Sequence, residues 1–218
     1  MEEGGKSLRI VTQGLGTLLI QPSTATAHDL ERAALVIYPH RISAAQLAVA
    51  VEWAAASQCP IFCHEKDIDK MVKQGFGAYR FHGISGYREI AFQSGTLDLF
   101  PAKRERASGI KGRFLEFSET FGFLRAPSFH VMIHSRGEAS ILYLSSPNVD
   151  AVEWKVLSRR HPAKIVGAAQ YSPEVWRDFG KRHNVTVIPA RGLSEISTHA
   201  NAEVEVERSN AWVESSPS

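Results

Sequence analysis

Residues 34–45 read Ala34-Leu35-Val36-Ile37-Tyr38-Pro39-His40-Arg41-Ile42-Ser43-Ala44-Ala45, and the fold turns on them. The unbroken apolar run to Tyr38 is what a strand buried on both faces requires. Ser43 stands where an N-cap belongs, and apolar residues recur at helical spacing from there to Ser57. A buried strand therefore feeds directly into a helix.

Upstream, Leu8-Arg9-Ile10-Val11 and Thr17-Leu18-Leu19-Ile20-Gln21-Pro22 flank Gln13-Gly14-Leu15-Gly16, which predicts a β-hairpin. The glycines do not make a dinucleotide loop, because a strand rather than a helix follows and the third glycine of that motif is absent. Downstream, Cys59 to Cys63 reads as the next buried strand and Glu65 to Gln74 as a short amphipathic helix stopped by Gly75. The rhythm then changes to short strands: Tyr79 to Phe81, Arg88 to Phe92, Gly95 to Phe100, Phe114 to Phe117, Phe121 to Leu124, Ser128 to His134 and Ser140 to Leu144. Helical spacing returns in Val152 to Arg159, followed by a strand at Lys164 to Ala168, a helix at Pro173 to His183 and a strand at Val185 to Ile188. The order predicts an α/β fold of two mixed sheets with helices outside.

Composition sets the outer bounds. A chain of 218 residues with 44% hydrophobic and 22% charged residues fits one globular domain. A formal net charge of +2 excludes a histone-like polycation and an acidic disordered chain. No apolar run reaches the roughly 18 to 20 residues of a membrane span, and Met1-Glu2-Glu3-Gly4-Gly5-Lys6 has no secretory character, so the expectation is a cytoplasmic protein. Cys59 and Cys63, on one extended strand, would lie roughly 13 Å apart and are expected to be reduced. Residues 194–218 carry five glutamates against Arg208 and few large apolar groups. They are predicted to form an acidic, flexible C-terminal tail beyond a domain spanning 1–193, although Val204 and Val206, alternating with glutamates, also allow a short edge strand.

The arrangement resembles the metallo-β-lactamase fold, a four-layer αββα sandwich, over about residues 7–193, with the small ascorbate-lactonase-like and ribonuclease-Z-like members nearest in length. In that family a first hairpin ends in Ile-Leu-Ile-Asp-Pro, and a buried strand leads to Thr-His-x-His-x-Asp-His at the strand-to-helix turn. Here Leu18-Leu19-Ile20-Gln21-Pro22 matches the first phrase. His40 matches the first histidine, while Ile42, Ala44 and Ala45 stand in place of the second histidine, the aspartate and the third histidine. The family's Pro-Ala-x-His strand end resembles Pro101-Ala102-Lys103-Arg104, its Gly-Asp strand end resembles Ser145-Ser146, and its closing histidine-glycine segment resembles Ala190-Arg191-Gly192. The frame fits and the ligands do not.

A catalytic zinc needs at least three donors from imidazole, thiolate or carboxylate. His40 alone cannot supply them, so the resemblance implies a degenerate site with no catalytic residue, metal or cofactor. The plain reading of His40 is a histidine at a strand end bonded to a loop carbonyl. His130 and His134, four apart on a strand, share a face but lie roughly 13 Å apart, beyond a shared metal. Cys59, Cys63 and His64 lack the second ligand pair of a structural zinc site. Ser145, Ser146, Ser172 and Ser194 offer hydroxyls, but no G-x-S-x-G elbow accompanies them.

Residues 102–113 hold five basic residues against Glu105 in a glycine-containing loop. By the resemblance this loop borders the former metal site, which would gather His40, Arg41, Lys103, Arg104 and Arg191 as a ligand-binding set suited to phosphate or carboxylate. The expected function is a metal-free, non-catalytic binding or interaction module that takes an anionic small molecule or a protein partner. The alternatives are a hydrolase of phosphodiesters or lactones with a relocated site, and a nucleic-acid-binding module using loop 102–113. That loop lacks interleaved aromatic residues for base stacking.

Overall fold

The computed structural model of the chain describes residues 8–22, 33–44, 46–50, 59–73, 81–102, 128–191 and 195–197. In chain order they form β1 (Leu8–Thr12), β2 (Gly16–Ile20), β3 (Ala33–Ile37), β4 (Ile61–His64), α1 (Glu65–Lys73), β5 (Phe81–Ile84), β6 (Arg88–Phe92), β7 (Gly95–Ala102), β8 (Ser128–Ser135), β9 (Ile141–Leu144), α2 (Ala151–Ser158), β10 (Lys164–Gly167), α3 (Pro173–His183), β11 (Ile188–Pro189) and β12 (Glu195–Ser197). Two six-stranded sheets result, ordered β12-β1-β2-β3-β4-β5 and β11-β10-β9-β8-β7-β6. Both are mixed. The β1–β2 hairpin is antiparallel while β2 to β5 run parallel, and β6 to β9 are antiparallel while β9 to β11 run parallel.

Side-chain alternation explains the apolar runs. Leu18, Ile20, Leu35 and Ile37 join Leu97, Leu99, Val131 and Ile133 in the core between the sheets. Their neighbours Leu19, Val36 and Tyr38 point the other way, into a second buried cluster with Ile42, Ala50 and Ile61. A strand covered on both faces has no solvent side, so no polar alternation appears in its sequence. The second helical layer is fixed by α3, whose Trp176 and Phe179 are fully buried against the opposite sheet. Trp176 donates its indole N–H to the Ala168 carbonyl at 3.0 Å, and its ring lies where a Cβ on Gly167 would stand, so β10 needs glycine there.

Several predicted boundaries shift. The strand expected at Cys59 to Cys63 is β4, at Ile61–His64. The one expected from Val185 begins only at Ile188, because Asn184 caps α3 in the left-handed region (φ 53°, ψ 50°) and Val185 N–H closes onto the Gly180 carbonyl. Ser43 does cap a helix: its Oγ accepts Gln46 N–H while Gln46 Oε1 accepts Ser43 N–H, a reciprocal capping box. Residues 46–50 are helical, and 51–58 of that expected helix lie outside the described residues. So do Phe114 to Phe117, Phe121 to Leu124, nearly all of loop 102–113, and 198–218. The expected tail needs correction at its start. Glu195–Ser197 pairs in parallel with β1, Ile196 is buried, and Arg9 reaches Glu195 at 3.3 Å, so the sheet extends past residue 193. Both cysteines are buried, and neither forms a disulfide. No helix among the described residues is long and apolar enough to cross a membrane.

Candidate functional site

The parallel strands bring their carboxyl ends to one edge of the sandwich, where α/β folds place their sites. Gln21 follows β2, His40 and Arg41 follow β3, Ser145 and Ser146 follow β9, and Arg191 follows β11. Ser128, at the start of β8, is bridged to His40 across the two sheets, with Phe129 N–H donating to the Pro39 carbonyl.

The turn after β3 is held by a carboxylate. Asp67, on the first turn of α1, has a fully buried side chain. It accepts Arg41 Nε–H at 3.0 Å and Nη2–H at 2.8 Å, Ile42 N–H at 3.0 Å, and Lys70 Nζ at 2.9 Å. Burial raises the Asp67 pKa. The hydrogen bonds from Arg41, Ile42 and Lys70 and the Arg41 charge outweigh that effect and hold the carboxyl below its ordinary range. Arg41, one of the candidate ligand-binding residues, is thus a two-pronged partner of Asp67. Its side chain remains 42% exposed, beside Lys70 at 46%. Ile42, at the place of a metal-binding histidine in the resemblance, instead packs with Tyr38, Cys63 and Phe81.

His40 is half-buried and its main-chain N–H donates to Gln21 Oε1 at 3.2 Å. Gln21 itself sits at φ 50°, a conformation a side chain disfavours. The His40 ring lies close enough to His130 to sense its charge, and His40 Nε2 is buried without a hydrogen-bond partner. Burial, with the nearby His130, pushes its pKa down to about 4, so the ring is neutral at physiological pH.

Sequence reading missed the polar knot behind His40. His130 is fully buried on β8, and its Nδ1 accepts Ser145 N–H at 3.2 Å with Ser145 Oγ at 3.4 Å. Because a backbone N–H can only donate, Nδ1 holds a lone pair and the ring proton is on Nε2, 3.3 Å from Glu153 Oε1. Asp150 caps α2 by accepting Glu153 N–H at 2.7 Å, which sets Glu153 over the sheet. Ser145 Oγ donates to Ser128 Oγ at 3.2 Å, and Gln170 Nε2 reaches the Ser145 carbonyl at 3.5 Å. A serine, a histidine and a glutamate in line have the order of a nucleophilic triad, but Ser145 is 0% exposed, so no substrate reaches its hydroxyl. The sequence signal was the period-two placement of Ser128 and His130 ahead of the apolar run Val131-Met132-Ile133 on β8. Glu153, on another element, gave none.

Of the predicted binding set, His40 and Arg41 lie together at this edge. Arg191 is exposed after β11, and its charge reaches Glu174 at the start of α3. Lys103 and Arg104 lie outside the described residues. The donors do not fit a catalytic metal: Ile42 is hydrocarbon, Ser145 and Ser146 carry neutral hydroxyls, and His130 Nδ1 is already occupied.

No family model and no curated protein matches the sequence. Solved structures do resemble the fold. One is a possible metal-dependent hydrolase from Veillonella parvula DSM 2008, at TM-score 0.54 and 14% identity over 80% of this chain and 78% of that one. A second is isothiocyanate hydrolase from Delia radicum gut bacteria, at TM-score 0.51 and 17% identity over 80% and 77% of the two chains. A third is Igni18, a metallo hydrolase from the hyperthermophilic archaeon Ignicoccus hospitalis KIN4/I, at TM-score 0.51 and 13% identity over 84% and 81%. Likeness at these identities speaks to architecture. With the paired mixed sheets and the strand-end edge, it shows that this chain has the metallo-β-lactamase fold.

Proposed function

We propose that the protein is a metal-free binding module of the metallo-β-lactamase fold, working in the cytoplasm, and that its strand-end edge holds an anionic ligand without hydrolysing it. The observation that carries this reading is the Arg41–Asp67 pair with its Ile42 N–H bond. It shapes the turn by an internal ion pair. Arg41 and Lys70 against Asp67 leave one net positive charge in a half-exposed, oriented cluster. Neutral His40 adds an unpartnered ring nitrogen, and Arg191 adds charge at the neighbouring strand end. Such a set orients phosphate or carboxylate but generates no acidified water. Lys103 and Arg104 join it as part of the proposal.

Calorimetric titration with inorganic phosphate and a small dicarboxylate, paired with turnover assays on a phosphodiester and a lactone, tests the reading. Binding that Arg41→Ala weakens, with no turnover, supports it. Turnover that disappears on His40→Ala overturns it in favour of a hydrolase, and tighter binding to an oligonucleotide than to phosphate would favour the nucleic-acid module.

A further inference from the structure

A second surface starts near Pro189 and Pro173, at the α3 end of the strand-end edge, and runs from there along α3. Between α3 and β11 runs an open groove of about 540 Å³. Trp176 is buried beneath it, Gly180 contributes no side chain, and the half-buried Val185 and Val187 supply aliphatic surface along the wall. The charged residues lining it are Arg177 and Lys181, both exposed and both basic, with neutral Asn184 and Thr186 at its lower end. Glu174 shares the field of Arg177 but does not line the groove.

The spacing selects a shape of ligand. Arg177 and Lys181 are one helical turn apart, about 5 to 6 Å along α3. Alternate residues of an extended peptide are about 6.6 Å apart and point the same way. A run of alternating acidic and apolar residues laid along α3 therefore meets both cations with one face and the groove floor with the other. The α3 stretch along the groove, at 1.5 Å per residue, is about 16 Å long and matches about five extended residues.

The sheet edge adds main-chain recognition. β11 ends its sheet, so its outer side has no strand neighbour among the described residues. Ala190 N–H donates inward to the Gly167 carbonyl, so by alternation Ile188 also faces β10 while Val187 and Pro189 face outward. Pro189 has no N–H, which confines the exposed donor to Val187 and makes the edge a short acceptor rather than a template for long pairing. We propose that this groove docks a short, extended segment of a partner protein in which acidic and aliphatic residues alternate. Ion pairs to Arg177 and Lys181, aliphatic burial between them and one or two main-chain bonds at Val187 provide the affinity.

The test is fluorescence anisotropy on the full chain at low salt, with a labelled heptapeptide of alternating valine and glutamate. Saturable binding is expected, weakened roughly tenfold or more by Arg177→Glu with Lys181→Glu. A valine–lysine heptapeptide is expected to bind that variant and not the unmodified chain. Lys155→Glu with Arg159→Glu reverses an exposed basic pair of the same spacing on and just beyond α2, and is expected to leave binding unchanged. Unchanged melting temperatures of both variants establish that they fold. Absence of binding at millimolar peptide, equal loss in both variants, equal affinity when glycine replaces valine in the peptide, or tighter binding of a single-stranded oligonucleotide would each overturn the proposal.

Discussion

Arg41 and Asp67, 26 residues apart, meet through two guanidinium nitrogens at 2.8 and 3.0 Å, and the same carboxylate takes the N–H of Ile42. One buried acid on α1 thereby fixes both the side chain and the backbone of the turn that leaves β3. Asp67→Ala is expected to cost about 2 kcal/mol, below the range for breaking a fully buried pair because Arg41 keeps solvent contact. Urea unfolding measures this directly, and Arg41→Gln should cost less because the Ile42 bond survives.

The same carboxyl gives a pH signature. Its folded pKa lies below its ordinary value, so its contribution to stability is complete above about pH 4, the unfolded value, and is lost as pH falls through the folded one. Unfolding midpoints taken down an acid series should converge for the parent and Asp67→Ala at the acid end.

His40 acts in a higher window. Its folded pKa of about 4 lies below the unfolded value near 6.5, so the folded state binds fewer protons. Stability is full above about pH 6.5 and declines toward pH 4, by up to about 3 kcal/mol. His40→Gln should flatten the stability curve across that interval; a curve of unchanged slope would mean that His40 is solvated.

Gly167→Ala should destabilise the domain by about 1 to 3 kcal/mol, since the added Cβ runs into the Trp176 ring. A paired Trp176→Leu should recover part of that loss, whereas full additivity would separate the two sites.

Cys63 is buried on β4, and burial, with the charge of Asp67, pushes its thiol up to about 12 while Arg41 pulls weakly the other way. Thiol reagents at neutral pH should leave it unmodified in the native protein and label it rapidly in urea.

How much of this was legible in sequence follows from range. The β1–β2 hairpin, the bounds of α3 and the Ser43 cap depend on neighbours in the chain, and their residues announce them. The double burial of Leu35 to Tyr38 shows as an unbroken apolar run, since both faces meet hydrocarbon there. Arg41 was visible as a cation at the site, but Asp67 reads as one more acid on an amphipathic helix. Their pairing depends on β4 carrying α1 back over the turn. The contact of His130 with Glu153 likewise spans two elements, and neither residue alone distinguishes a surface charge from a buried partner.

The central claim is that the strand-end edge binds through its own side chains and holds no metal. Elemental analysis of protein purified natively without chelator or added metal tests it most directly. The account predicts zinc, iron and manganese well below one per chain, with a melting temperature unmoved by chelator. One or more transition metals per chain surviving gel filtration, with stability lost on their removal, would contradict it.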